Sequence, residues 1–212
     1  VATHYDDEAQ VDALKKWWKE NWLALAAGLG IGLGAIFGWE GYQSLRDGRA
    51  EGAAQLFGDF QGAVARDDAE AAGQLAETLT REFADSPYAI LAQLKIAEQA
   101  VRAKAFDRAQ RALQWVVEEG KDANLQAIAA LRLARVEFQQ GALDAALARI
   151  TTAPEGFEAL YAELRGDLRL AQGDREAALA AYSEALAALD AAAPNRPLLQ
   201  QKIDDLAAAV RS

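Results

Sequence analysis

The sequence predicts an all-α protein, with one N-terminal transmembrane helix followed by an α-solenoid of repeated helix pairs. An uncharged, mostly apolar run extends from Asn21 to Trp39, between Glu20 and Glu40. After it the chain is rich in Ala, Leu, Gln, Glu and Arg and has almost no β-branched runs, which is a helix-forming composition. That later part also resembles itself at steps of 32 to 37 residues.

Residues 1–21 read as a short cytoplasmic amphipathic segment. In "DDEAQVDALKKWWKENW", Asp6 or Asp7 is placed to cap a helix with an acidic first turn. Val11, Leu14, Trp18 and Trp22 then fall on one face at helical spacing. His4, the only histidine, precedes this helix near the terminus, a position that favours neither a ligand nor a base.

Residues 22–39, "WLALAAGLGIGLGAIFGW", admit two readings. A phosphate-cradling loop needs G-x-G-x-x-G between a strand and a helix. Gly28, Gly30 and Gly32 are followed by Leu33, so the third glycine is out of register; starting from Gly30 gives Gly32 and Ala35, a loose fit with no strand before it. A membrane span needs about 20 residues at about 1.5 Å each to cross about 30 Å of hydrocarbon. Asn21 to Trp39 supplies about 19, and the leucines, isoleucines and phenylalanine among them contribute roughly 3 kcal/mol towards insertion.

Trp17, Trp18 and Trp22 at one end and Trp39 and Tyr42 at the other bracket the run where aromatic rings settle at headgroup level. The span reading therefore stands. Gly28 and Gly32, with Gly30, Gly34 and Gly38, recur at four-residue spacing and form an expected helix-packing face for another transmembrane helix. Glycine is also simply common in membrane helices, so the spacing leaves both readings open. Bulky residues follow the run where a signal-peptide cleavage site would need small ones, so an uncleaved anchor is expected. Lys15, Lys16 and Lys19 before the run outnumber Arg46 and Arg49 after it, which narrowly favours a cytoplasmic N-terminus.

Residues 40–52 are expected to form a juxtamembrane helical connector, and residues 53–195 the repeats. "LKIAEQAVRAKAFDRAQRAL", "LRLARVEFQQGALDAALARI" and "RGDLRLAQGDREAALAAY" align with helix ends at Lys104, Gly141 and Gly173. An acidic turn follows each, then Ala109, Ala146 or Ala178, then Leu113, Ile150 or Tyr182. A fainter copy runs from Ala53 through Asp67, Ala72 and Ala76. Small residues at helix crossings let paired helices sit close, and each pair covers the face its neighbour leaves open. The period is near the 34 of a tetratricopeptide repeat, but most consensus aromatic and proline positions are replaced, so the expected domain is tetratricopeptide-like. Pro87, Pro154, Pro194 and Pro197 stand where the apolar periodicity pauses. Residues 196–212 read as a C-terminal capping helix, with Leu198, Leu199, Ile203, Leu206 and Val210 at helical spacing.

Composition narrows function. Without cysteine there is no thiol nucleophile, no cysteine-ligated zinc and no disulfide. Beyond the span 27 acids face 19 bases, a balance that excludes nucleic acid as a partner and keeps the domain off an anionic bilayer surface. With a single terminal histidine no catalytic triad is expected, and the acidic pairs Asp67/Asp68, Glu118/Glu119 and Asp204/Asp205 read as turns or solvated faces. A non-enzymatic protein with no cofactor and no metal is expected.

Helical arrays of this kind offer a concave surface to peptides or helices. If the first helix of each pair lines that surface, a protein-binding groove is expected at Leu91, Leu94, Val101, Ile128, Leu131, Arg135, Phe138, Leu160 and Leu170. Each leucine taken singly serves equally well as core. Only Arg135 is hard to place there.

The acidic tail with "LKKWWKENW", the glycine-rich span ending "GWEGY", and "FADSPYAILAQLKIAEQAV" resemble the ancillary subunits of the bacterial SecYEG translocon, the YfgM-like proteins. The resemblance covers essentially all 212 residues. It implies a single-pass inner-membrane protein, N-terminus cytoplasmic and repeat domain periplasmic, held in the lipid bilayer through one helix. It further implies association with the SecYEG translocon and with a membrane-anchored periplasmic chaperone of the PpiD kind, and contact with translocating polypeptides. It carries no catalytic residues. Two other readings are a regulatory adaptor whose residues 1–21 restrain a signalling protein, and a scaffold that self-associates through its repeat face.

Overall fold

The computed structural model describes residues 4–211, and the side chains of these except 4–10, 13, 45 and 209–211. Nine helices and no strand occur among the described residues. They are α1 (His4–Ala65), α2 (Ala69–Glu82), α3 (Pro87–Arg102), α4 (Phe106–Glu119), α5 (Ala123–Gln139), α6 (Leu143–Arg149), α7 (Glu158–Ala171), α8 (Arg175–Ala188) and α9 (Arg196–Arg211). The expected cap at Asp6 or Asp7, the reading of His4 and the place of Val210 concern side chains outside the described residues. Two compact units divide the chain, Val1–Glu51 and Gly52–Ser212.

In the first unit the apolar window of α1 has a mean hydropathy of 1.7 and none of it is buried. By length and composition this helix is able to cross a bilayer. Its exposure separates it from the core helix of a soluble domain, which buries such a face. Asn21, the polar residue at the start of the run, donates its side-chain amide to the Trp17 carbonyl at 2.8 Å. At the other end the Trp39 and Tyr42 rings lie 6.2 Å apart and the Arg46 guanidinium sits 5.9 Å from the Tyr42 centroid. This aromatic and basic grouping suits a headgroup region.

In the second unit four hairpins share one turn. Asp67, Lys104, Gly141 and Gly173 take positive φ angles of 58°, 57°, 80° and 83°. The residue after each donates its N–H to a carbonyl five residues back: Asp68 to Ala63 (3.0 Å), Ala105 to Ala100 (2.8 Å), Ala142 to Glu137 (2.9 Å) and Asp174 to Arg169 (3.0 Å). The left-handed residue itself donates to Val64, Val101, Phe138 or Leu170. These are Schellman closures, which satisfy the last carbonyls of a helix and reverse the chain. Their spacing of 37, 37 and 32 residues is the period expected from the sequence.

Small-residue positions fall inside, as expected. Ala53, Ala72, Ala109, Ala146 and Ala178 are fully buried, and Leu113, Ile150 and Tyr182 nearly so. Gly166 has a stricter reason for its identity, because a Cβ there would stand 2.4 Å from Cδ1 and Cε1 of Tyr182. Asp68, Ser86, Asp122 and Asp174 cap the next helices by accepting backbone N–H groups, and Pro87 occupies the first turn of α3. Asp67 and Asp68 thus have separate backbone duties at one turn.

From α2 onward each helix packs on the next in sequence, and α3, α5 and α7 lie side by side. This is the nearest-neighbour pattern of a solenoid. The Tyr161 hydroxyl donates to the Ala127 carbonyl at 3.0 Å within the core, tying α7 to α5. Gln140 donates to Asp107 and Gln172 to Asp144, both at 2.9 Å, joining the turn of one pair to the second helix of the pair before it. Glu137, the only buried charge among the described residues, accepts a bidentate pair of bonds from Arg149 on α6.

Two details depart from the sequence reading. α6 has 7 residues where α2, α4 and α8 have 14. The chain leaves it through Thr151 and Thr152, with Pro154 unable to continue a helix and Gly156 at φ 82°. In α9, Leu199 and Leu206 are buried but Leu198 is 58% exposed, since adjacent helical residues point about 100° apart.

Candidate protein-binding cleft

The three first helices α3, α5 and α7 form one wall of a cleft of about 500 Å³, completed by Phe106 and Leu113 of α4. α3 contributes Ala97, Glu98, Val101 and Arg102; α5 contributes Arg132, Arg135, Val136, Phe138 and Gln139; α7 contributes Leu164 and Asp167. On α5 the spacing of Arg132, Arg135 and Gln139 is one helical face, so the fold needs no special turn to bring them together. Leu113, Val136 and Leu164 are buried and make an apolar floor, while Val101 remains 41% exposed.

The charges of the cleft differ in how they are held. Lys95 donates to Glu98 at 2.9 Å, and Arg102 also pairs with Glu98. The Lys95 hydrogen bond holds the Glu98 carboxyl below its ordinary range, against an opposing effect of burial, and the fields of Lys95, Arg102 and Arg132 add to the lowering. Asp167 accepts from Lys202 at 2.9 Å and from the Tyr182 hydroxyl at 2.8 Å. Burial raises the Tyr182 phenol, and Asp167 and Glu163 raise it further. For Lys202 burial alone acts downward, but the hydrogen bonds to Asp167 and Glu163 outweigh it and the amine is held above its ordinary value. Both carboxylates facing the cleft are therefore occupied.

Of the nine residues expected to line a groove, Val101, Arg135 and Phe138 line this cleft. Leu94 and Leu131 are buried core residues, and Ile128 is half-buried. Leu91, Leu160 and Leu170 are exposed but lie outside the cleft lining. Glu98, Arg102, Phe106, Arg132, Leu164 and Asp167 were not anticipated; the spacing of Arg132, Arg135 and Gln139 on α5 was the one available signal. The five glycines of the span are exposed, and a Cβ added at any of them meets nothing within 4 Å. No contact among the described residues accounts for them.

Residues 15–208 match the tetratricopeptide repeat-like domain family, which includes both the apolar helix and the repeats. An ancillary SecYEG translocon subunit of Escherichia coli (strain K12) is 34% identical over 204 residues, covering 95% of this chain and 98% of that protein. The chain belongs to the ancillary SecYEG translocon subunit family. Members in Haemophilus influenzae (31% identical, covering 87% of this chain and 91% of that protein) and Neisseria gonorrhoeae (31%, covering 97% and 100%) carry the same description. A tetratricopeptide repeat protein from Parabacteroides merdae ATCC 43184 superposes with a TM-score of 0.47 at 19% identity, over 73% of this chain and 57% of that one.

In this member of the family the cleft brings together an apolar floor, an aromatic edge and guanidinium donors. Among the described residues no group of three or more His, Asp or Glu side chains is placed to hold a metal ion.

Proposed function

We propose that this chain is a membrane-anchored, non-enzymatic accessory of the Sec translocon. Its α1 segment crosses the inner membrane once with the N-terminus in the cytoplasm. Its repeat domain works in the periplasm, where it binds partner proteins and helps pass translocated chains to membrane-anchored chaperones of the PpiD kind. The observation that carries this reading is full-length similarity: four ancillary SecYEG translocon subunits match at 31 to 34% identity over span and repeats together. The exposed, glycine-lined span supports a helix partner in the bilayer, and the cleft supports uptake of a protein segment.

Photocrosslinking probes at Gly30 and Gly34 in the span and at Val101 and Phe138 in the cleft test both halves in native membranes. Adducts from the span to translocon subunits and from the cleft to a periplasmic chaperone or an emerging chain are the expected result. Adducts to lipid alone, with no translocon subunit retained in mild detergent at native expression, would overturn it.

A further inference from the structure

Arg132 and Arg135 stand one turn apart on α5, and neither is in an ion pair or side-chain hydrogen bond among the described residues, Arg132 reaching Glu98 only through its longer-range field. Some arginines elsewhere in the repeats have structural duties, whereas Arg108 and Arg111 of α4, like Arg132 and Arg135, are in no ion pair or side-chain hydrogen bond among the described residues. Arg149 clamps Glu137, Arg165 pairs with Glu184 at 2.7 Å, and Arg196 donates to the carbonyls of Leu186 and Leu189. Arg108 and Arg111 share a surface depression with Glu70 and Glu77, whereas the acids beside Arg132 and Arg135 are Glu98 and Asp167. The two acids that share the cleft are already taken: Glu98 by Lys95 and Arg102, Asp167 by Lys202 and Tyr182. Two guanidinium groups are left facing an apolar floor of Val136 and Leu164, with Val101 and Phe138 at its edge.

We infer that this cleft binds a short acidic, amphipathic segment of a partner protein, with carboxylates on Arg132 and Arg135 and an apolar side chain between Val101, Phe106 and Phe138. This rests on the reading that the repeat domain takes up a partner protein. A volume of about 500 Å³ is that of a small-ligand site, room for a few side chains of a linear segment and not for a folded surface. Guanidinium groups favour carboxylates because their fork matches both oxygens, and Arg132 and Arg135, exposed at the rim, are open to an incoming segment. In an otherwise acidic domain they also select against the protein's own surface, since another copy presents mostly like charge to the acids around the cleft.

The test uses the full chain in detergent and three fluorescein-labelled ten-residue peptides, in which Leu and Phe alternate with Glu, with Gln or with Lys. Fluorescence anisotropy is expected to show binding of the Glu peptide that the Gln peptide lacks. The double variant R132E/R135E is expected to weaken the Glu peptide at least tenfold and to gain affinity for the Lys peptide, a reversal that mere unfolding does not produce. Equal binding of Glu and Gln peptides, no binding of the Glu peptide at all, or indifference to the double variant would overturn the inference. So would a concentration-dependent dimer that R135E dissolves, which assigns the cleft to a second copy. Co-purification of the translocon with the wild-type chain and with R132E/R135E separates the two claims. Retention by both, without Glu-peptide selectivity, sinks only the acidic-segment inference, whereas absence from the wild type sinks the accessory reading itself.

Discussion

Lys104 and Gly141 close the same turn with different chemistry. Both hold a left-handed backbone, at φ 57° and 80°, but only glycine adopts it without crowding a Cβ against its own carbonyl. Lys104→Gly is therefore expected to stabilise the domain by about 0.5–1 kcal/mol and Gly141→Ala to destabilise it by about 1 kcal/mol. A Cβ at Gly141 meets nothing within 4 Å, so a larger loss on chemical denaturation would contradict a purely conformational origin. Gly166 is glycine for a contact reason. Its added methyl would press on the buried Tyr182 ring, and overpacking of this kind outweighs alanine's advantage in a helix by about 1–2 kcal/mol, or roughly 3–8 °C in Tm. An unchanged melting curve for Gly166→Ala would refute the close approach. At Glu137, Arg149→Met strands a buried carboxylate and is expected to cost about 3 kcal/mol, while the double variant E137M/R149M recovers most of it. A double-mutant cycle by urea unfolding measures the coupling.

At the scale of the element, α9 is the clearest case of a helix held by electrostatics as well as by burial. Lys202 reaches Glu163 and Asp167 of α7, both at 2.9 Å, while Leu199 and Leu206 enter the core. Because the folded state raises the Lys202 value above the ordinary 10.5, its contribution is complete below that value and is lost as pH rises through the folded one. Tyr182 shifts upward too and acts in the same sense. The penalty of K202Q, about 1 kcal/mol near neutrality, is thus expected to hold up to the ordinary 10.5 and to shrink as pH rises beyond it, which thermal melting of both proteins from pH 8 to 12 would show. A penalty that grows with pH contradicts the assignment. α6 shows the opposite lesson, since a helix of 7 residues survives by tying Arg149 to Glu137 and by burying Ala146, where intrinsic propensity alone would not hold it.

For the whole molecule, two units of different surface character share one chain, an exposed apolar helix and a helical domain with a buried core. Residues 52–212 contain every buried residue of the structure's described part, and their contacts run between neighbours in sequence. Expressed alone, this segment is expected to fold into a helical domain with a cooperative melt, followed by circular dichroism and sedimentation. An unfolded fragment would mean that α1 before Gly52 supplies a part of the core. Nearest-neighbour coupling also predicts that damage at α9 loosens α7 and α8 more than α2 and α3 in hydrogen exchange.

The periodic features were legible in the linear chain. Uncharged length with aromatic brackets announces a bilayer helix, and a small residue five positions after each turn announces a helix crossing, because both are local patterns that any fold must respect. The turn period at Asp67, Lys104, Gly141 and Gly173 belongs to the same class. The cleft was legible only in part. Arg135 stood out as a poor core residue, but whether Leu94 or Val101 faces the partner surface depends on how α3, α5 and α7 rotate against one another. That rotation is set by contacts between residues 30 or more positions apart, such as Tyr161 with Ala127. The tertiary structure alone decided which carboxylates satisfy which cations, and so left Arg132 and Arg135 facing the cleft, because ion pairing follows distance in space and not in sequence.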